Sequence, residues 1–242
     1  MTSTVLKALV LMACLASATP AAAEWRRSHD ITLNTAYTLE QGAVEIGILT
    51  PLSVGVTDEV QVAIHPILLL LGEPYVALRW QMTRVGAVTV ATNLGASWSF
   101  IRRENEDGVP ASGAGTGFPG VVQATATVTF KLGDSWLLSA GAGPAIDFLG
   151  ADPVRGLAEV HLSAHWLLDE SQLLMAQLQG YVRLTDRSEL VRPLGELLYA
   201  VALSQGVSLA AGAGVGEFVF EESSSERRTL NLFPIIDLWF RF

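Results

Sequence analysis

The last stretch of the chain, Leu230 to Phe242, reads LNLFPIIDLWFRF. Counting back from Phe242, every second residue is apolar, which is the spacing of side chains on one face of a β-strand. The residues between them add the charges of Asp237 and Arg241 to further apolar bulk. The stretch therefore predicts a strand with one apolar and one mixed face. The apolar set is Leu230, Leu232, Pro234, Ile236, Leu238 and Phe240.

This ending resembles the closing strand of bacterial outer-membrane β-barrels, in which a terminal aromatic residue follows alternating apolar residues. The resemblance rests on Leu238, Phe240 and Phe242. It implies that these residues act as an assembly signal read by the barrel assembly machinery, and that outer-membrane lipid surrounds the folded protein.

The first 23 residues follow a different pattern. Lys7 precedes an apolar run from Ala8 to Leu15, and Ala21 to Ala23 form a small-residue cleavage site. This is the pattern of a secretory signal peptide, so we predict a signal at residues 1–23 and a barrel at residues 24–242. Cleavage there removes Cys14, the only cysteine. A lipoprotein signal ending at Cys14 is the alternative.

Composition narrows the class of protein. Half of the residues are apolar and the mean hydropathy is +0.39, yet no run of about 20 apolar residues follows the signal, which argues against membrane helices. The net charge of -9 and the 15 Lys and Arg residues provide no basic stripe for nucleic acid. Apolar content without apolar runs predicts alternating strands. The acidic charge balance predicts that nucleic acid is not a partner.

Nine or ten segments of the chain alternate in this way, with Gln, Thr, Asn and His on the polar face. This pattern is typical of a transmembrane antiparallel up-and-down β-barrel, the one sheet that pairs all its backbone amides in lipid. A soluble sandwich or lipocalin-like barrel is the alternative, but it would expose many glycines beside Thr89 and Asn93. The expected interfacial aromatics are Trp80, Trp98, Phe100, Phe130, Phe148, Trp166, Tyr199 and Phe240.

The connections between segments predict the strand number. Short turns at 57–59, 84–86, 133–135, 169–171 and 204–206 alternate with longer polar connections at 102–120, 149–156, 185–192 and 221–228. Such alternation is typical of periplasmic turns and external loops. Ala43 to Val56 is interpreted as one strand with a bulge or edge at Pro51. Since eleven strands would leave the N-terminus outside, Ile31 to Leu39 is added and twelve strands are predicted, with ten as the alternative.

Two smaller features stand out from this pattern. Ile67 to Leu71 is apolar on every side and is predicted to be an interfacial segment or a plug. Ala140-Gly141-Ala142-Gly143 recurs as Ala211-Gly212-Ala213-Gly214, with the glycines on the polar face. Glycines there predict a lumen in which backbones or inserted segments approach the wall closely.

The stretch from Gly42 to Trp80, which begins GAVEIGILTPLSVGVTDEVQVAIHP, is similar to the opening of small outer-membrane transporters grouped with the MetA pathway of phenol degradation. The similarity implies a passive transporter for a small solute, whose identity the sequence does not indicate. We therefore predict a small channel or passive transporter with a narrow mixed-charge lumen. The expected lumen residues are Glu45, His65, Arg79, Lys131, Glu159, His161, His165, Arg183 and Asp237. If these charges pair with each other, a non-conducting structural or adhesive barrel is predicted instead.

One strand face carries residues that suggest catalysis. His161-Leu162-Ser163 resembles the His-x-Ser strand of outer-membrane lipid A deacylases, which implies a lipid hydrolase with Glu196 as the acid. However, alternation directs His161 and Ser163 to the lumen, whereas those enzymes work at the lipid-facing wall. His161 and His165 lie about 13 Å apart on a strand, too far for one metal ion. Catalysis is therefore the alternative, and neither a metal nor another cofactor is expected.

Overall fold

A computed structural model of the protein describes residues 30–70, 72, 74–98, 121–147, 155–183, 189–216 and 231–242. Within them, twelve antiparallel strands form a closed barrel in which chain neighbours pair and the last strand pairs with the first. The predicted all-β up-and-down barrel of twelve strands is therefore confirmed. The elements are β1 (Val44–Gly47), β2 (Leu52–Thr57), β3 (Val60–Ile64), α1 (Pro66–Leu70), β4 (Tyr75–Val85), β5 (Val88–Ser97), β6 (Val121–Leu132), β7 (Trp136–Asp147), β8 (Arg155–Asp169), β9 (Gln172–Arg183), β10 (Glu189–Ser204), β11 (Val207–Gly216) and β12 (Asn231–Arg241).

The prediction of a single strand from Ala43 to Val56 is wrong. β1 and β2 are separate strands joined by a turn at residues 48–51. The carboxylate of Asp237 holds this turn, because it accepts hydrogen bonds from the backbone N–H groups of Leu49 (2.9 Å) and Thr50 (3.0 Å). The residues around Pro51 therefore form a reversal of the chain instead of a bulge.

The prediction that Ile31 to Leu39 forms a barrel strand is also wrong. This segment lies inside the barrel, where Ile31, Tyr37 and Leu39 are at most 3% exposed. The division of residues 43–56 into β1 and β2 provides the additional strand, so the count of twelve is right although one of its members is not. The alternative of ten strands is wrong.

The apolar stretch predicted as an interfacial segment or a plug forms the short helix α1 at the end of β3. Leu70 is 86% exposed, so α1 does not fill the lumen, and the interfacial interpretation stays a prediction. Leu71 lies outside the described residues. No helix among the described residues is long and apolar enough to cross a membrane.

The two ends of the barrel differ as predicted. At one end the strands are joined by residues 58–59, 86–87, 133–135, 170–171 and 205–206, and we name this the short-turn end. At the other, long-connection end, consecutive strands are separated by residues 48–51, 65–74, 98–120, 148–154, 184–188 and 217–230. The predicted loops 102–120 and 221–228 lie outside the described residues. β12 runs from the long-connection end to the short-turn end.

Side chains alternate between the exterior and the lumen along each strand. In the middle of β8, Leu162 is 57% exposed on the exterior, whereas the next residue, Ser163, is 6% exposed in the lumen. Near the short-turn end, Trp136 and Trp166 stack on each other with ring centroids 5.1 Å apart. The exterior therefore has an apolar surface with aromatic residues near one rim. Of the other predicted aromatics, Trp80 and Phe130 are exposed near that rim, whereas Phe100 and Phe148 lie outside the described residues.

Lumen-facing glycines provide room for side chains from neighbouring strands. A Cβ on Gly141 would lie 2.0 Å from the His161 ring, and a Cβ on Gly214 would lie 2.5 Å from the Phe233 ring. Each ring occupies the space that a larger residue would fill. A Cβ on Gly143 would lie 1.9 Å from the carbonyl oxygen of Ala124, and one on Gly212 would lie 2.0 Å from that of Leu197, so the predicted close approach of backbones is found at these two glycines.

The barrel wall is uneven in height. β1, β2 and β3 contain 4, 6 and 5 residues, whereas β8 and β10 contain 15 and 16. The register of β1 with β12 runs from Glu45 to Gly47, opposite Arg241 to Trp239, and backbone hydrogen bonds extend it by one residue at each end, to Val44 and Ile48. The seam that closes the barrel is therefore short.

If lipid contacts the exterior, a charge in the middle of β8 will destabilise the protein more than a charge near its end. We expect Leu162→Arg to lower the free energy of unfolding by about 2–4 kcal/mol in lipid vesicles. Leu168→Arg, near the short-turn end, is the matched control and is expected to cost about 0–1 kcal/mol. Denaturant titration in vesicles measures both values, and equal small losses would contradict a lipid-facing wall.

Candidate functional site

The N-terminal segment inside the barrel, residues 30–41, is named the plug. The chain reverses its direction at Asn34, whose φ of 51° is a left-handed conformation that Asn tolerates. The hydroxyl of Thr35 donates to the Ile31 carbonyl across this turn (2.7 Å). Thr38 donates to the carbonyl of Asp58 in the β2–β3 turn (2.6 Å), which places the C-terminal arm of the plug at the short-turn end.

Apolar contacts hold the part of the plug nearest the short-turn end. Ile31 and Tyr37 are each 2% exposed, and Leu33 packs against the same group. Burying a side chain of this size contributes about 1.5–3 kcal/mol. The lumen wall supplies the other members of the cluster, which are Leu137, Leu167, Leu173, Met175, Leu198, Ala200, Ala210, Ile235 and Trp239.

Polar wall residues satisfy the backbone of the plug. The hydroxyl of Ser163 donates to the carbonyl of Asn34 (2.8 Å), and the hydroxyl of Thr129 accepts from the backbone N–H of Ala36 (2.7 Å). The side chain of Gln61 accepts from the backbone N–H of Leu39 (3.1 Å). A buried backbone group without a partner costs about 1–3 kcal/mol, so these contacts are needed for the plug to remain inside.

Arg79 on β4 binds the plug from the side. Its Nη1 donates to the carbonyls of Thr32 (2.6 Å) and Tyr37 (2.9 Å), and its Nε donates to the side chain of Asn93 (2.8 Å). All three acceptors are neutral. Within the described part of the chain, Nη2 has no hydrogen-bond partner and no carboxylate oxygen lies within 4.0 Å of the guanidinium nitrogens. The positive charge of Arg79 is therefore not neutralised by contact with an acid there.

A glycine allows the plug to leave the lumen and continue into β1. A Cβ on Gly55 would lie 2.1 Å from the carbonyl oxygen of Glu40. The backbones also bond here, since the N–H of Gly42 donates to the Gly55 carbonyl (2.8 Å) and the N–H of Gly55 donates to the Ala43 carbonyl (2.9 Å). Only a residue without a side chain fits between β2 and the end of the plug.

A polar cavity of about 140 Å³ lies between the turn of the plug and the part of the wall nearer the long-connection end. Asn34 and Thr35 of the plug form one side of it. The wall contributes one cation, one carboxylate and several neutral polar groups. The wall residues that line it include Tyr75, Arg79, Gln123, Glu159, His161 and Gln179.

The structure brings three of the nine predicted lumen residues together, because Arg79, Glu159 and His161 all line this cavity. Glu159 accepts a hydrogen bond from the hydroxyl of Thr125, and a ring nitrogen of His161 lies 3.3 Å from the hydroxyl of Thr127. The cavity therefore contains a basic and an acidic side chain that are not paired with each other.

Two other predicted lumen residues are bound at the seam and rim. Glu45, 6% exposed, forms an ion pair with Arg241, so β1 and β12 are linked on the lumen side. Lys131 lies 3.3 Å from Asp134 at the short-turn rim. Glu45 is therefore paired inside the barrel, whereas Lys131 meets an exposed acid outside the lumen.

The remaining four predicted lumen residues have separate surroundings. Asp237 holds the β1–β2 turn, and His165, 1% exposed, lies beside the backbone of Leu33 in the plug. His65 follows β3, and its ring accepts from the backbone N–H of Leu68 in α1 (3.5 Å); burial lowers the pKa of His65 below its ordinary value. Arg183 belongs to β9, but its side chain lies outside the described part of the structure.

The residues proposed for catalysis face the lumen as alternation predicts, but they do not form a hydrogen-bonded triad within the described residues. The hydroxyl of Ser163 is bonded to the plug and His161 is bonded to Thr127. The register places Gln177 between Ser163 on β8 and Glu196 on β10, so these two are about 10 Å apart. The hydrolase hypothesis stays a prediction without a geometric argument in its favour.

Sequence reasoning did not single out the neutral residues of the cavity. Tyr75, Gln123 and Gln179 lie on the polar face of their strands, as predicted, but most of the selected lumen residues were charged. Nor did it identify the plug, because Ile31 to Leu39 alternates like a wall strand. Burial on both faces separates a plug from a strand, and burial is not visible in the sequence.

No protein-family model matches this chain, and no characterised protein matches it at a significant level. The similarity to transporters of the MetA pathway of phenol degradation therefore stays a prediction.

Replacing Gly55 tests whether the plug needs this narrow exit. We expect Gly55→Ala to destabilise the seated plug by about 1–3 kcal/mol, because the new methyl group overlaps the Glu40 carbonyl. Chymotrypsin cleavage after Tyr37 should then become about 5- to 150-fold faster, since cleavage follows the population of released plug.

The matched control is Gly156→Ala, because a Cβ on Gly156 meets no atom within 4 Å. Its cleavage rate should equal that of the unmodified protein. Equal rates for all three proteins would contradict the role assigned to Gly55.

Proposed function

We propose that the protein is an outer-membrane barrel that lets a small polar solute cross passively and that is closed at rest by its own N-terminal plug. The observation that carries the proposal is a polar lumen filled by a segment of the same chain, with a cavity next to it. An outer-membrane location is supported by the closed sheet and by the apolar exterior.

The number of strands supports a functional role for the lumen. A barrel of about eight strands is filled by its own side chains, and the interior widens as strands are added. With twelve strands, the wall side chains and the plug together still leave a cavity of about 140 Å³. A barrel that served only as an anchor would need neither the additional width nor an inserted segment.

The contacts of the plug support reversible closure. Its backbone is bonded by Ser163, Thr129, Gln61 and Arg79, and water can satisfy these wall groups equally well after the plug leaves. A net contribution of about 0.5–1.5 kcal/mol is typical of each neutral hydrogen bond. Apolar packing around Ile31 supplies the part of the stability that water cannot replace. Closure is therefore stable but does not depend on a covalent bond to the wall.

Removing the plug should open the lumen. A variant whose chain begins at Gln41 keeps all twelve strands, and we expect it to show discrete conductance steps in planar bilayers. The protein that begins at Glu24, as cleavage at the predicted site would leave it, should be closed most of the time. A synthetic peptide of residues 30–41 should block the shortened variant, whereas a peptide of scrambled order should not.

Heat-modifiable migration on a gel provides the control that both proteins are folded barrels. A folded variant without the plug that does not conduct would contradict the transport proposal. That outcome would favour the structural or adhesive barrel instead.

A single substitution should change the closing equilibrium without deleting residues. Ile31→Ala removes buried apolar contacts and should destabilise the closed state by about 2–4 kcal/mol, which corresponds to an open-to-closed ratio about 30- to 1000-fold higher. Ile48→Ala, in the β1–β2 turn where Ile48 is 52% exposed, is the matched control and should leave the ratio unchanged. Single-channel recordings measure the ratio; an unchanged ratio for Ile31→Ala would contradict closure by the plug.

A further inference from the structure

We propose that the polar cavity next to the plug is a binding site for a small zwitterionic solute, with Arg79 binding its carboxylate and Glu159 binding its ammonium group. The inference rests on the proposed function, because it names the class of solute that would use the lumen. It stands on three observations: a guanidinium with no acid in contact among the described residues, a carboxyl group on the same cavity, and the size of the cavity.

Arg79 provides the anionic subsite. Two of its three guanidinium nitrogens are fixed by Thr32, Tyr37 and Asn93, and Nη2 is left for a group in the cavity. A guanidinium that contacts only neutral acceptors can still form a charge-assisted hydrogen bond with an anion, and such bonds between ionised groups are about twice as strong as neutral ones. Fixing the side chain in advance also reduces the entropy lost when a ligand binds.

Glu159 provides the cationic subsite. Its carboxylate accepts from Thr125, and within the described residues no Lys, Arg or His nitrogen lies within 4.0 Å of it. Arg79 and Glu159 line the same cavity without forming an ion pair. A ligand with two opposite charges therefore finds a group of complementary charge for each of them on the wall of one cavity, which a simple anion or a simple cation does not.

The volume of the cavity limits the ligand to a small molecule. A cavity of about 150 Å³ holds benzene, and the cavity here is about 140 Å³. L-alanine has about as many non-hydrogen atoms as benzene. Gln123, His161 and Gln179 provide further hydrogen-bonding groups around the charged pair. The site therefore fits a small amino acid better than a larger zwitterion.

Isothermal titration calorimetry on the folded barrel tests the inference with three probes: L-alanine, acetate and ethylamine. We expect L-alanine to bind at least about tenfold more tightly than either singly charged probe, since only alanine compensates both groups. Arg79→Gln should weaken alanine binding by about 10- to 100-fold, and Glu159→Gln, which keeps the shape of the side chain, should do the same.

Acetate separates the two subsites. Arg79→Gln should abolish acetate binding, whereas Glu159→Gln should leave it unchanged or strengthen it, because a nearby negative charge is removed. Lys131→Gln is the control, since it removes a positive charge at the short-turn rim outside the cavity. If Arg79→Gln does not fold, Glu159→Gln still decides the question.

Two results would overturn the proposal. One is the absence of saturable alanine binding to the folded, unmodified protein. The other is alanine binding that Glu159→Gln leaves unchanged. Binding is measured at equilibrium and needs no open lumen, so its failure is distinguishable from a failure of conductance.

Discussion

The seam between β1 and β12 is the interaction on which the rest of the structure depends. The N–H of Val44 donates to the carbonyl of Phe242 (3.0 Å), and the N–H of Phe242 donates to the carbonyl of Val44 (2.8 Å). These bonds close the sheet, and closure leaves no edge whose backbone groups would need water. Alternation follows from closure, because each strand then has one face toward the exterior and one toward the lumen. The ion pair of Glu45 and Arg241 adds a link on the lumen side.

A closed barrel of this size creates a second constraint, which is that its interior must be filled or hydrated. The protein uses both solutions at different depths. Near the short-turn end, Ile31 and Tyr37 of the plug complete an apolar cluster with the wall. Farther along the lumen, Arg79 and Glu159 line a polar space. Arg79 belongs to both layers, because the same guanidinium binds the plug and faces the cavity. Any solute that interacts with it therefore shares a side chain with the plug.

Fold class was predictable because it depends on a period of two that the sequence displays in nearly every segment. The total of twelve strands was predicted correctly, although one of the predicted strands was wrong. Interpreting Pro51 as a bulge hid the turn that Asp237 stabilises, and Asp237 is distant in sequence. Because the count was then eleven, Ile31 to Leu39 was added as a strand to give an even number. The cavity was predictable in part, since Arg79, Glu159 and His161 were selected by charge. Its relation to the plug was not, because the contact between Asn34 and Ser163 joins residues 129 positions apart.

The low wall at β1 to β3 has a consequence for how the barrel opens locally. β1 is bonded to β12 from Val44 to Ile48, and its register with β2 covers two residues, so it loses few hydrogen bonds when it separates. Segments with few bonds have the lowest opening free energies in a folded protein, whereas the long ladders between β7 and β10 retain their bonds. The plug continues directly into β1, and the Gly55 contact joins both to β2. We therefore expect separation of β1 from β12 and release of the plug to occur together, as one cooperative local opening of the N-terminal part of the barrel.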